Sequence, residues 1–351
     1  MCSDMVADIF KWIGKCIYNN GNMQKRIILV IICLYLIGCS FITESEGQLN
    51  DIFIFTSEKD KVLVQPVVEN VFNQYRHTPQ KEPYFNLKWR DIHDIGDLNK
   101  RFHLILVSLM SPADTTADPF VQSVHENQNM ADKHSITMND VYARNQKFIS
   151  INAMDAIHLE TILDSSGSWL VDQISTNINA QLLKKINSGK RNTEIEELVK
   201  ESFGLSMLIQ QDYMKLRQDS LKKNFLWLGR GVPYRWLTIH QMPLVNSNSS
   251  EDYWSSFEQL VLQSMPDTEI SSFYRTQDFL PHKSIKRLKG VYAQTESDTG
   301  GPFTSYIFDH PQWNKTIFIS GFVNNPGKEK LLLLNELELI ISQTRFINNG
   351  A

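Results

Sequence analysis

The tetrapeptide Leu36-Ile37-Gly38-Cys39 is the segment whose residue types and spacing specify a chemical reaction most directly. A small residue immediately before a cysteine is the pattern at which bacterial lipoprotein signal peptidases cleave. We therefore interpret the tetrapeptide as a lipobox. Cys39 would become the mature N-terminus, with a diacylglyceryl group on its sulfur and palmitate among its acyl chains.

The segment before the lipobox has the features of a secretory signal peptide. Residues 27–37 form an unbroken run of eleven apolar residues, and Lys25 and Arg26 precede the run. The run is too short to cross a bilayer, which requires roughly 20 apolar residues, but it fits the hydrophobic region of a signal. We assign residues 23–38 to a signal peptide. The alternative is a buried strand or helix that ends in a cysteine by chance.

Residues 1–22 precede residues 23–38, which have the features of a complete signal peptide. Met23 opens that signal by itself, so we predict that translation starts there and that residues 1–22 are an extra or spurious extension. The alternative is that this weakly amphipathic extension forms a surface helix.

The cysteines agree with this processing, because all of them lie at or before the cleavage site: Cys2, Cys16, Cys33 and Cys39. The exported part has no other thiol, so its core must be held together by packing rather than by disulfides. The charge is mildly acidic, with a net value of −4 at pH 7. Nucleic acid is therefore not expected as a partner, since phosphate binding requires a concentrated basic face. The short basic clusters are interpreted as solvated faces: 184–185, 222–223 and 282–289.

The pattern of elements predicts an α/β (α+β) protein with two layered domains. Residues 39–49 form a polar tether, residues 50–192 an N-terminal α/β domain, and residues 193–351 a C-terminal α+β domain. In the N-terminal domain, a buried strand at 52–55 and helical periodicity over 62–75 make a β-α unit. Residues 111–147 are polar and predict a long loop or a partly ordered excursion, and 155–186 predict one long helix or two, interrupted at 165–168.

The second half alternates strands and helices in an order that favours an antiparallel sheet with helices packed against it. Glycines and a proline mark the turn between its first two strands. The predicted strands are 225–228, 235–242, 303–308 and 317–322, and the predicted helices are 252–265 and 328–344.

Several of these segments together resemble a known family. They are Phe203-Gly204-Leu205, Asp212-Tyr213, residues 224–228, Gly301-Pro302-Phe303 and Gly321-Phe322-Val323. On the basis of these segments, the chain is identified as a member of the domain of unknown function 4837 family of predicted bacterial lipoproteins. The resemblance implies that the protein is located in the cell envelope, but it implies no enzymatic activity. The element order of the second half is also similar to the Mog1 and PsbP type of sandwich, which often serves as a binding or assembly module.

Standard catalytic and cofactor motifs are absent from the sequence, so we predict no catalytic residues and no cofactor. The most suggestive metal-ligand group is His125, Glu126, Asp132 and His134, but its spacing matches no known site, and we predict no metal. His240 is interpreted as a half-buried histidine with its hydrogen bonds satisfied.

Aromatic residues concentrate in the second half. We predict that Trp227 and Trp254 fill the core, because aromatic side chains dominate cores as well as grooves. Tyr234, Trp236 and Trp313 lie in or beside turns, and Arg235 adds a cation. These four residues are therefore predicted to contribute to a binding groove, with core filling as the alternative for the tryptophans.

The sequence as a whole predicts a lipid-anchored, non-enzymatic binding or assembly factor. Its expected location is the bacterial cell envelope, as an outer-membrane lipoprotein that faces the periplasm. Its expected partners are the membrane, through lipidated Cys39, and an envelope protein, a peptide or a glycan. The alternative is an envelope hydrolase with a site built from scattered Asp, Glu and His residues.

Overall fold

The fold is described by a computed structural model, which places residues 42–111, 116–219, 224–245, 249–280 and 285–347. The chain divides into two compact units, Met1–Glu44 and Ser45–Ala351, and every element below belongs to the second unit. The predicted signal peptide and Cys39 lie outside the described residues. Within the described ranges, none of the helices combines the length and the apolar character that a membrane crossing requires.

The first half of the second unit is built on a five-stranded sheet in the order β4-β1-β5-β7-β6, in which only the edge strand β6 is antiparallel. The strands of this half, including the two-stranded ribbon β2–β3, are β1 (Asp51–Thr56), β2 (Tyr75–His77), β3 (Lys81–Pro83), β4 (Asn86–Asp91), β5 (His103–Leu109), β6 (Ser135–Asn139) and β7 (Lys147–Ala153). Its helices are α1 (Glu58–Phe72), α2 (Ile95–Leu98), α3 (Ala117–Asn127) and α4 (Ala156–Ser188). All residues of β5 are buried, as expected for a parallel strand that is covered on both faces.

The helix α4 runs without a break through the predicted interruption at 165–168. Gly167 lies where α1 packs directly on α4. A Cβ at Gly167 would lie 2.9 Å from Cγ1 of Val71, so the glycine leaves room for this contact. The small residues that suggested a break therefore allow two helices to approach closely.

The described part of residues 111–147 is more ordered than the sequence predicts, since it contains α3 and β6. The buried residues of α3 are Ala117, Val121 and His125, one per turn, and one of them is polar. Such a narrow buried stripe produces little apolar periodicity, which explains why the helix was not predicted.

The second half forms an eight-stranded antiparallel sheet in the order β12-β14-β15-β16-β11-β10-β9, with β13 also paired to β14. The strands are β8 (Leu205–Ser206), β9 (Tyr213–Gln218), β10 (Phe225–Arg230), β11 (Tyr234–Pro243), β12 (Thr268–Ile270), β13 (Thr276–Leu280), β14 (Ile285–Gln294), β15 (Thr299–His310), β16 (Lys315–Asn324) and β17 (Arg345–Phe346). The helices are α5 (Thr193–Phe203), α6 (Ser250–Ser264) and α7 (Leu331–Ser342).

Helices cover both faces of this sheet. One face packs on α5 and α7, and the other face packs on α6 through a core rich in aromatic residues. The predicted fold class, α/β with an antiparallel second sheet packed by helices, is confirmed. The predicted boundary between residues 192 and 193 falls between α4 and α5, and the division into two domains stays a prediction.

Candidate functional site

A groove with a volume of about 460 Å³ lies beside the turn that joins β10 to β11. We call it the hairpin groove. Its walls combine apolar side chains with amides and hydroxyls, over a floor that contains two glycines. The lining residues are Met214, Leu216, Gly229, Arg230, Gly231, Tyr234, Trp236, Gln294, Ser297, Thr299, Asn324 and Pro326.

The floor of the groove depends on the missing side chain of Gly229. In the strand register, Gly229 lies between Met214 of β9 and Trp236 of β11. A Cβ at Gly229 would lie 2.5 Å from Cδ1 of Leu216, so any larger residue would displace that leucine. The glycine lets Leu216 fold over the strand and shape the groove wall.

The outer wall of the groove is formed by β9. This strand is at the edge of the sheet, because the strand order ends there. Met214 and Leu216 of β9 both line the groove, and Leu216 lies at a shift in the register of β9 with β10. They are 61% and 49% exposed, and Tyr234 across the groove is 50% exposed. Three large apolar side chains thus border one concave, solvent-facing surface.

The inner wall is rigid and belongs to the core. Trp236 is only 8% exposed, and its ring packs edge-on against Trp227 at a centroid distance of 5.6 Å. Asn324 is also buried, and its Nδ2 donates to Oγ1 of Thr299 at 3.1 Å. Its Oδ1 has no hydrogen-bond partner among the described residues.

The groove presents no uncompensated charge. Among the residues that the structure describes, neither a carboxylate nor a histidine lines it. The lining cation, Arg230, is engaged by Asp212 at 2.5 Å and by Glu336 at 2.9 Å. The surface therefore suits an uncharged, partly apolar ligand.

The structure corrects the predicted set of groove residues at Arg235. Neighbouring residues of a strand point to opposite faces, so Tyr234 and Trp236 face the groove whereas Arg235 faces α7. Its side chain is 7% exposed, and its Nη1 donates to Oε2 of Glu336 at 2.6 Å. Arg235 therefore belongs to a buried ion pair and does not line the groove.

Trp313 is the second correction. The pairing of β11 with β16 runs from Tyr234 opposite Asn324 to Pro243 opposite Lys315, which separates the two ends by roughly 30 Å. Trp313 lies in a short 3-10 turn at the Lys315 end. There its ring stacks on His310 at 4.0 Å, so it is remote from Tyr234 and Trp236.

His125 and His240 occupy structural positions. Both ring nitrogens of His125 are engaged, Nδ1 with the Lys133 carbonyl at 2.9 Å and Nε2 with Oγ of Ser150 at 3.1 Å. In the part of the chain that the structure describes, no three metal-ligating side chains converge. His240 is fully rather than half buried, and its Nε2 lies 2.6 Å from Oγ of Ser264.

Sequence reasoning missed Met214, Leu216 and Asn324 as groove residues. The alternation of apolar and basic residues over 213–217 is a strand signal that would have located the first two. Asn324 carries no such signal, because its place in the groove depends on the pairing of β16 with β11.

Comparisons with known proteins agree with the family predicted from sequence. Residues 192–343 match the model of the family described as Domain of unknown function (DUF4837), so this part of the chain is similar to that family. No curated protein matches the chain.

Several solved structures are similar to about two fifths of the chain. The Ran-binding protein Mog1p of Saccharomyces cerevisiae has 10% identity and a TM-score of 0.31, covering 41% of this chain and 90% of its own. Cyanobacterial PsbP from Synechocystis has 6% identity and a TM-score of 0.29, with coverages of 41% and 86%. LpqN, involved in cell envelope biogenesis of Mycobacterium tuberculosis, has 11% identity and a TM-score of 0.25, with coverages of 40% and 81%.

Proposed function

We propose that this chain, whose residues 192–343 are similar to the DUF4837 family, is a non-enzymatic binding protein of the bacterial cell envelope. A lipid on Cys39 holds it at the outer membrane with its folded part in the periplasm. Its ligand is an extended segment of a partner protein. That segment pairs with the edge strand β9 and places alternate side chains in the hairpin groove.

The observation that carries this proposal is the combination of an uncovered strand edge with an apolar groove beside it. Folded proteins usually protect edge strands, because unpaired backbone groups and apolar side chains on an edge invite pairing with another chain. On β9, Met214 and Leu216 are exposed on the groove side. Contiguous exposed apolar surface of this kind is typical of an interaction site.

Strand addition explains both parts of the site. The backbone of β9 would provide affinity through main-chain hydrogen bonds, and the groove would select side chains at every second position of the partner. Lys215 pairs with Leu228 and points to the opposite face, whereas the register shift at Leu216 places Arg217 opposite Trp227. The Nη1 of Arg217 donates to the Ser264 carbonyl at 3.0 Å, and Arg217 does not line the groove. A hydrolase would instead require catalytic groups at the ligand, and the described residues that line the hairpin groove include neither a carboxylate nor a histidine.

The groove is tested with Leu216→Asp and Tyr234→Ala. Peptides selected from a random display library against the wild-type protein should carry alternating apolar residues, and both variants should bind them at least about tenfold more weakly. Affinity is measured by calorimetry, and protection of the β9 amides by hydrogen exchange. Trp236 is unsuitable for this purpose, because truncating a core tryptophan would unfold the protein.

The matched control is Leu262→Asp on α6, because Leu262 is 72% exposed and does not line the groove. It should bind the selected peptides as the wild type does. An equal loss of peptide affinity in all three variants, or an unchanged peptide affinity in both groove variants, would show that the ligand binds elsewhere. Binding of neutral glycans without any peptide binding would exclude strand addition.

The lipid anchor is tested with Cys39→Ser. One acyl chain binds a membrane only marginally, so stable attachment requires the two or more chains that lipoprotein modification provides. We expect wild-type protein to incorporate labelled palmitate and to fractionate with outer membranes. The variant should remain unprocessed and unlabelled.

Cys33→Ser is the matched control, because Cys33 lies in the same apolar run but not in the lipobox. It should be processed and labelled as the wild type is. If Cys39→Ser still yields a mature-length membrane protein, the anchor is not at Cys39.

A further inference from the structure

Five charged side chains form an alternating chain between the ribbon β2–β3, helix α7 and the strands β13 and β14. We call it the ion-pair chain. It begins at Arg76, whose Nη1 lies 3.3 Å from Glu338, and continues from Glu338 to Arg287 at 3.1 Å. Arg287 lies 2.6 Å from Asp278, and Asp278 lies 2.5 Å from Nζ of Lys289.

The ion-pair chain carries a surplus positive charge, since it has three cations and two carboxylates. Each terminal cation has one carboxylate within 4 Å among the described residues, and Nη2 of Arg76 also donates to the Phe303 carbonyl at 3.0 Å. Arg76 and Lys289 are only 12% and 20% exposed, and a charge in such a position normally has a full complement of partners. Burial lowers the pKa of Lys289, and the nearby Arg287 lowers it further.

A further carboxylate nearby is already engaged. Glu82 is the cross-strand partner of Arg76 in the β2–β3 ribbon. Its Oε1 instead accepts from the backbone N–H groups of Lys330 and Leu331, at 2.6 and 2.8 Å, and so caps the start of α7. The surplus charge of the ion-pair chain is therefore not paired with Glu82.

Both ends of the ion-pair chain meet in one cavity of about 230 Å³. We call it the aromatic cavity. Three tyrosines and a histidine make up half of its lining residues, and none of the carboxylates in the described part of the chain lines it. The lining residues are Tyr75, Arg76, His77, Tyr84, Tyr274, Thr276, Lys289 and Gly290.

The aromatic wall is held in an unusual backbone conformation. Tyr274 has a φ of 61°, in the left-handed region that bulky side chains rarely adopt. Its ring is stacked on His77 at a centroid distance of 4.2 Å and an interplanar angle of 16°. Tyr274 is nevertheless 51% exposed, so core burial does not offset the strain. Strain of this kind is concentrated at binding and catalytic sites.

We propose that the aromatic cavity binds a small single-ring organic acid. The carboxylate of the ligand lies between Arg76 and Lys289, where it neutralises the surplus charge of the ion-pair chain. The ring of the ligand packs against the stacked pair of Tyr274 and His77, since aromatic rings pair edge-to-face as well as offset-stacked. The cavity is large enough for one ring and shares no lining residue with the hairpin groove, so the two sites are separate.

The probes are benzoate and glucuronate, with benzyl alcohol and glucose as their uncharged counterparts and acetate as the acid without a ring. Binding to the full-length protein in detergent is measured by NMR titration. At least one ring-bearing acid should bind tenfold or more tightly than its neutral counterpart and than acetate, and added salt should weaken it. Equal binding of acids and neutral counterparts, or no binding of either acid, would overturn the proposal.

Lys289→Met is the decisive variant, because it leaves the ion-pair chain with two cations and two carboxylates. It should lose at least tenfold in affinity for the acid, with a Tm equal to or above that of the wild type. Lys289→Arg keeps the charge and should retain binding. Tyr274→Gly relieves the backbone strain, so it should lose affinity without a fall in Tm. If Lys289→Met lowers the Tm and leaves the affinity unchanged, the ion-pair chain has only a structural role.

Discussion

Replacing Glu336 by Gln is expected to lower the free energy of unfolding by about 3 to 5 kcal/mol, as measured by urea denaturation. The carboxylate of Glu336 is 3% exposed and accepts from Arg235 at 2.6 Å and from Arg230 at 2.9 Å. Arg230 would keep its ion pair with Asp212. Arg235 would be left as a buried charge without a counter-charge, which is the costly state.

Glu197→Gln provides the matched control. Glu197 also forms an ion pair, with Lys200 at 2.7 Å, but both side chains are about half exposed, so the loss of stability should be much smaller than for Glu336→Gln. The double variant Arg235→Met/Glu336→Met removes the charge and its partner together and should recover much of the stability. A Glu336→Gln cost no larger than that of Glu197→Gln would contradict this account of the network.

Acidification is expected to destabilise the protein through two buried histidines. Burial lowers the pKa of His103 to about 4 and that of His240 to about 3, from an ordinary value of 6.5. Both rings are therefore neutral in the folded protein while the unfolded chain gains protons as the pH falls below 6.5. Their contribution to stability is complete above pH 6.5 and is lost as the pH falls towards the folded-state values. By pH 4, each histidine should have cost on the order of 3 kcal/mol.

The hydrogen bonds of His240 explain why it remains neutral. Oγ of Ser264 donates its proton to the Leu260 carbonyl, so it accepts from Nε2 of His240. Nδ1 then has no partner among the described residues, and a proton there would be a buried donor without an acceptor.

The pH dependence is measured as the free energy of unfolding between pH 7 and pH 4. His103→Gln and His240→Gln should each flatten this dependence, whatever their stability at pH 7. The exposed His134 is the control, and His134→Gln should retain the wild-type slope. Unchanged slopes in both buried variants would assign the acid sensitivity to other groups.

Elements with regular local patterns could be predicted from the sequence. The β10–β11 and β15–β16 hairpins and the helix α6 follow from alternation, turn residues and helical periodicity, which involve residues only a few positions apart. The sequence does not predict the strand β14, because basic side chains interrupt the alternation of apolar and polar residues that would indicate a strand. Arg287 and Lys289 occupy one of its faces, and residues 282–289 were interpreted as a solvated basic cluster. These two side chains are in fact ion-paired, at 16% and 20% exposure.

The sequence by itself determines the proposed chemistry at Cys39, because processing enzymes read a short linear motif, and it determines the strands and helices whose local patterns are regular. Which side chains share a site is decided only by the tertiary structure. The register of β11 places Trp236 in the groove wall and Arg235 on the opposite face, and the length of the strand pair separates Trp313 from both. The partner of Arg235 is Glu336, 101 residues away along the chain. No local pattern encodes such a pair, because it forms only when α7 packs on the completed sheet.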